Sequence, residues 1–121
     1  MHIQQFYEFC LTKKGVTEHF PFDEDLLVFK VGGKIFVLSP LSNWEKAQPT
    51  INLKCDPDRA IWLRTEYESI KPGYHMSKIH WNTITINAEV TDKMVFDLIS
   101  DSYNLVFKSL SKKIQIELSE L

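Results

Sequence analysis

Apolar residues near the start of the chain recur at helical spacing. Ile3, Phe6, Tyr7, Phe9 and Cys10 share one stripe over residues 2–14, with Lys13 and Lys14 in the last turn and Gly15 where a left-handed residue closes a helix. Phe20-Pro21-Phe22 and the acidic run Asp23-Glu24-Asp25 follow. Proline breaks regular structure there, and the two aromatics are expected to anchor the loop onto the core. The pattern then changes to short β-rich runs, Leu26–Val31 and residues 34–38, divided by Gly32-Gly33. Two glycines between such runs signal a hairpin, because both turn residues can adopt positive φ. A two-residue turn pairs Val31 with Lys34 and Lys30 with Ile35, which puts Lys30 and Lys34 on opposite faces of the sheet.

Residues 39–49 are polar around Trp44 and read as a loop before a third strand, Thr50–Lys54. Asp56-Pro57 supplies an N-cap and a first-turn proline for a short helix through residues 59–64, and Asp56 is expected to satisfy that helix start. Residues 69–77 form a Gly/Pro-bearing connection, and residues 74–78 are a candidate extra strand. Residues 81–86 alternate as a strand with Ile84 and Ile86 inward. From Asp92 to Leu110 a helical stripe of Met94, Val95, Leu98, Ile99, Leu105 and Val106, capped by Thr91 or Asp92, predicts the longest helix, laid across the sheet.

The order is helix, three strands, helix, two strands, helix. It predicts an α+β fold in two layers, an antiparallel sheet of about five strands with three helices. The 121 residues, 44% hydrophobic and 25% charged, suit a single domain over residues 1–121 with its own core. No apolar run is long enough to span a bilayer, and the first ten residues lack a signal-peptide pattern, so a cytoplasmic protein without a membrane partner is expected. Cys10 and Cys55 match no metal or redox spacing and are expected to be two reduced thiols.

The net charge of -2 argues against a strongly cationic nucleic-acid binder, but the charge is unevenly spread. Residues 1–29 carry two Lys against five acids, residues 30–86 eight Lys or Arg against five acids, and residues 87–121 four Lys against six acids. A basic centre between acidic ends can form one positive face for a polyanion, although inert domains show similar imbalances.

The densest chemistry lies in residues 73–82, which hold Tyr74, His75, Lys78, His80, Trp81 and Asn82. In a phosphate- and base-contacting reading, Lys78 and the histidines meet phosphates, Asn82 hydrogen-bonds, and Tyr74 or Trp81 stacks. In a packing reading the aromatics are core anchors, the imidazoles are satisfied by backbone and Lys78 is solvated. His75 and His80, five apart, fall on opposite faces of a strand, and no nearby carboxylate or thiol completes a metal set, so no cofactor is expected. Either histidine has the chemistry of a general base. Yet no phosphate loop, nucleophile elbow or zincin helix accompanies them, and no enzymatic activity is expected. Lys54, at a strand-to-helix junction, is either an anion contact or a solvated strand end.

Five segments in this order and spacing resemble the MmcQ/YjbR family over nearly the whole chain. They are Phe20-Pro21-Phe22 with its acidic run; Val28-Phe29-Lys30-Val31-Gly32-Gly33-Lys34; Asn52-Leu53-Lys54-Cys55-Asp56-Pro57; Gly73-Tyr74-His75-Met76-x-Lys78-x-His80-Trp81-Asn82; and Asp101-Ser102-Tyr103-Asn104-Leu105-Val106. The resemblance implies an α-β3-α-β2-α plan, similar to the frataxin-like CyaY fold and to secretion chaperones, and binding of double-stranded DNA by a double-wing arrangement. It points to Lys30, Lys34, Asn52, Lys54, Tyr74, His75, Lys78, His80, Trp81 and Asn82 as contacts. Asp23 replaces a glycine frequent in the family. Iron binding of the frataxin kind is not implied, because the first helix offers only Glu8, and Glu18 at its end, in place of an acidic ridge. The rival expectation is a chaperone-like module that binds another protein through an exposed apolar face, near Trp44 or Trp62, without nucleic-acid affinity.

Overall fold

The computed structural model describes residues 1–46, 48–73 and 76–121. Its elements are α1 (Ile3–Leu11), β1 (Val16–His19), β2 (Leu26–Val31), β3 (Lys34–Pro40), α2 (Ser42–Glu45), β4 (Thr50–Lys54), α3 (Pro57–Glu66), β5 (Ile70–Pro72), β6 (Trp81–Thr85), α4 (Asp92–Ser109) and α5 (Lys112–Ser119). The strands form one antiparallel sheet in the order β1-β2-β3-β4-β6-β5. The α+β plan is as expected, but the described residues hold six strands and five helices where the sequence indicated about five and three. The additions are short or peripheral. Val16–His19 extends the free edge of β2, Ile70–Pro72 extends that of β6, Ser42–Glu45 is a single helical turn inside the expected loop, and Lys112–Ser119 is a short helix after the longest one. Met76 to Lys78 form no strand, and the rest of the extra strand expected at residues 74–78 lies outside the described residues.

The first helix ends at Leu11, earlier than its stripe suggested, because the chain must turn to start β1. Lys13 therefore lies in a turn, its carbonyl accepting from the Val16 amide at 3.4 Å. Gly15 does adopt positive φ, at 75°, but within this turn, and a Cβ there would come within 2.6 Å of Leu118 on α5. Asp56 and Pro57 open α3 as expected, although the Asp56 side chain makes no cap hydrogen bond. Thr91 caps α4 by accepting from the Met94 amide.

Strand alternation fixes what each face of the sheet carries. Phe29, Val37, Ile51, Leu53 and Ile84 point to the helical side, where they meet Phe6 and Cys10 of α1, Leu63 of α3, and Val95, Ile99 and Val106 of α4. Trp44 stacks on Phe6 with ring centroids 5.1 Å apart and donates to Ser39 Oγ at 2.8 Å, which makes it a packing residue. Phe20 and Phe22 correct the expectation of anchoring aromatics: they are 45% and 65% exposed.

The hairpin has the expected register, Val31 with Lys34 and Lys30 with Ile35, and then slips by one residue, so that Phe29 pairs with Val37 and Phe36 is extra. At this bulge β3 parts from β4, and only Val37 with Leu53 and Leu38 with Asn52 remain paired. The fully buried Ser102 of α4 spans the break: its hydroxyl donates to the Phe36 carbonyl at 2.6 Å and accepts from the Lys54 amide at 2.9 Å. One side chain thus satisfies two backbone groups that would otherwise be buried without partners. Ser102→Ala is expected to cost roughly 2–3 kcal/mol, the penalty for leaving both groups unpaired, read as a lower urea midpoint at unchanged m-value. A loss below about 0.5 kcal/mol would show that the seam does not depend on this bridge.

Candidate functional site

The helices cover one face of the sheet. Across the other face runs a single register row: His19 beside Val28, Val28 beside Leu38, Leu38 beside Asn52, Asn52 beside Thr83 and Thr83 beside Lys71. From Val28 onward its character changes from apolar through amide and hydroxyl to cation. A second row near one end of the sheet carries Lys30 beside Thr17 and Ile35, and Lys54 beside Trp81.

The open face is hollowed into a groove of about 870 Å³. Leu26, Ile35, Leu38, Thr50, Asn52 and Thr83 contribute strand residues to it, while Phe22, Asp23 and Asp25 line it from the loop before β2. Lys71, Pro72 and Met76 line it from β5 and the segment that follows. The acidic run is held by its own bonds. Asp23 Oδ1 accepts from the amides of Asp25 at 2.9 Å and Leu26 at 2.7 Å, and Asp25 takes the Ser42 amide at 2.8 Å and its hydroxyl at 2.9 Å. These carboxylates fix the loop that presents Phe22 to the groove.

The segment preceding β6 is clamped to α3. Arg64 Nε donates to Asn82 Oδ1 at 2.6 Å, and its Nη2 donates to the carbonyls of Lys78 and, at 3.1 Å, Trp81. The Cys55 amide donates to the His80 carbonyl at 2.7 Å, tying the same segment to the end of β4. Sequence reasoning missed Arg64, whose local signal was no more than a basic residue near a helix end.

The ten predicted contact residues divide. Lys30, Asn52, Lys54 and Trp81 share the open face, with Lys78 and His80 exposed on the segment before β6. Lys34 shares the face of Val31, toward the helices. Asn82 does not reach the open face either. It is 1% exposed, accepts from Arg64 and donates to the Ala60 carbonyl at 3.5 Å, so its amide works inside the fold. The alternation that turns Ile84 inward turns Asn82 inward as well. Tyr74 and His75 lie outside the described residues. Lys71 and Thr83, absent from the sequence-derived set, complete the register row.

Among the described residues the ion pairs are Met1–Asp92, Arg59–Asp101 and Lys93–Asp97, so Lys30, Lys54, Lys71 and Lys78 have no carboxylate at pairing distance. No three His, Cys, Asp or Glu side chains among the described residues converge on a point that would hold a metal ion. Glu18, read as the end of the first helix, stands on β1 and accepts from the Tyr7 hydroxyl. Burial pushes both thiols, Cys10 and Cys55, to higher pKa and keeps them protonated near neutrality; neither is bridged. No helix among the described residues is long and apolar enough to cross a membrane.

The clamp makes a measurable prediction. In Arg64→Met, amide hydrogen exchange at His80 and Trp81 should speed up by about tenfold or more, while α4 stays protected. Unchanged exchange would show that the backbone bonds alone hold this segment.

Comparison with known proteins agrees with this architecture. The family model described as YjbR matches residues 11–105. The uncharacterized protein YbdF of Escherichia coli O157:H7 is 45% identical over 95 residues, covering 78% of this chain and 75% of that protein. The uncharacterized protein YjbR of E. coli K12 is 26% identical over 104 residues, 85% of each chain. The crystal structure of Deinococcus radiodurans protein DR2400, with family-model domain DUF419, superposes with TM-score 0.89 at 33% identity, covering 98% of this chain and 88% of that one. A Pseudomonas syringae protein superposes with TM-score 0.73 at 31% identity, over 88% of this chain and 99% of its own.

Proposed function

The chain belongs to the YjbR family, and from that premise we propose that it docks double-stranded DNA on the open face of its sheet. The observation that carries this reading is the presence, on the face the helices leave bare, of Lys30 and of Lys54 beside Trp81, both without carboxylate partners, with Lys71 on the edge strand and Lys78 exposed on the segment before β6. Ammonium groups without carboxylate partners are free to replace phosphate counterions. In this reading the β2–β3 hairpin and the segment of residues 76–80 act as two wings. Lys78 and His80 meet the backbone, and Trp81 packs against sugar or base. Asn82 and Lys34 take no part. The protein works by binding, without catalysis or cofactor.

The acidic loop and the net charge of -2 keep the electrostatic contribution small. Four phosphate contacts give a log–log salt slope of about -3.6, or a loss on the order of a hundredfold in affinity between 50 and 200 mM salt. Fluorescence anisotropy of a labelled mixed-sequence duplex is expected to show saturable binding with that slope. Lys54→Ala combined with Lys78→Ala should flatten it by roughly 2. An unchanged slope in the double variant removes both residues from the interface, and no binding at low salt overturns the reading.

One observation favours a protein partner instead. Ile61 and Trp62 on α3 are 60% and 53% exposed, and Ile79, in the segment that Arg64 ties to α3, is 65% exposed. Such apolar side chains suit a protein interface. This reading predicts no DNA binding at any salt concentration.

A further inference from the structure

We propose that the groove on the open face binds a small amphipathic monocarboxylate, with its apolar chain on Leu26, Ile35 and Leu38 and its carboxylate above Thr83, between Asn52 and Lys71. The groove's volume of about 870 Å³ lies in the range of small-molecule sites. Its lining is mainly apolar, with Asn52, Thr83 and Lys71 at one end and Asp23, Asp25 and Ser42 at the other. Asn52 is 9% exposed and lines the groove; its Oδ1 accepts the Thr83 hydroxyl at 2.5 Å, and its Nδ2 has no acceptor among the described residues. Asn52 thus offers the groove an amide N–H from which a ligand oxygen can accept.

Charge determines the orientation and class of the ligand. Lys71 stands two strands from Asn52, about 10 Å away at the usual strand spacing, and within reach of an anion seated between them. Glu89, whose charge Lys71 feels, is occupied by the Ser69 amide at 2.7 Å. The opposite end holds Asp23 and Asp25, whose carboxylates already accept backbone and Ser42 donors and repel a second negative group. One negative charge at one end of an apolar body matches this gradient. A polyphosphate would meet the aspartates. An extended peptide would need a sheet edge to gain backbone hydrogen bonds, and the groove lies on a sheet face.

The test is calorimetric titration of the full chain with decanoate, octanoate and decan-1-ol, in the absence of DNA. Decanoate should bind saturably with a Kd below about 1 mM, and octanoate more weakly by about two- to fourfold per methylene removed. Decan-1-ol should bind roughly tenfold more weakly than decanoate, because it lacks the charge for Lys71. Lys71→Gln, an exposed change on an edge strand, should weaken decanoate by about fivefold or more, and Asn52→Asp by more than about tenfold. The variant carrying Lys54→Ala and Lys78→Ala should bind decanoate like the parent, which separates this site from the DNA reading. Absence of saturable decanoate binding, equal affinity for all three probes, or decanoate affinity unchanged in Lys71→Gln would overturn the proposal.

Discussion

The fold turns on a narrow seam. The sheet consists of two three-stranded halves, β1-β2-β3 and β4-β6-β5, joined where Val37 meets Leu53 and Leu38 meets Asn52. Beyond those pairs the β3 bulge separates the strands, and Ser102 on the longest helix carries the hydrogen bonding across. The helix therefore does more than cover apolar surface, since it also completes the ladder from the core side. The open face inherits its geometry from this joint, because the groove lies over the Leu38–Asn52 pair.

Covering the sheet on one side only sorts the functional side chains. β4 and β6 send Ile51, Leu53 and Ile84 to the helices and turn Asn52, Lys54, Trp81 and Thr83 the other way, while β2 and β3 carry apolar residues on both faces. Asn52 and Asn82, both asparagines in neighbouring strands, consequently do different work. Asn82 is locked between Arg64 and the Ala60 carbonyl, whereas Asn52 keeps a donor in the groove. Lys30 and Lys34, only four residues apart, are likewise separated by the hairpin.

Much of this was legible where local chemistry and tertiary demand agree. Gly32-Gly33 set the hairpin register, Pro57 and Thr91 marked helix starts, and Ile84 and Ile86 announced the inward parity of β6. The same parity already placed Asn82 inside, but its side-chain chemistry suggested contact. Val16–His19 was not legible, because its identity comes from the unpaired edge of β2 and its own residues show no apolar alternation. The Ser102 bridge was hidden for a similar reason, as it joins residues 48 and 66 positions apart. Phe20 and Phe22 misled because aromatics usually pack inward, whereas here the aspartates fix their loop outside the core.

The central claim is that binding takes place on the open face of the sheet and not on the helical layer. Two-dimensional amide chemical-shift mapping, with a short DNA duplex added at low salt, tests it most directly. The account predicts perturbations at Lys30, Lys54, Lys78 and Trp81 that disappear as salt rises, with α1 and α4 unmoved. Shifts centred on Ile61 and Trp62 of α3, or spread over α1 and α4 while the open face stays silent, would contradict it.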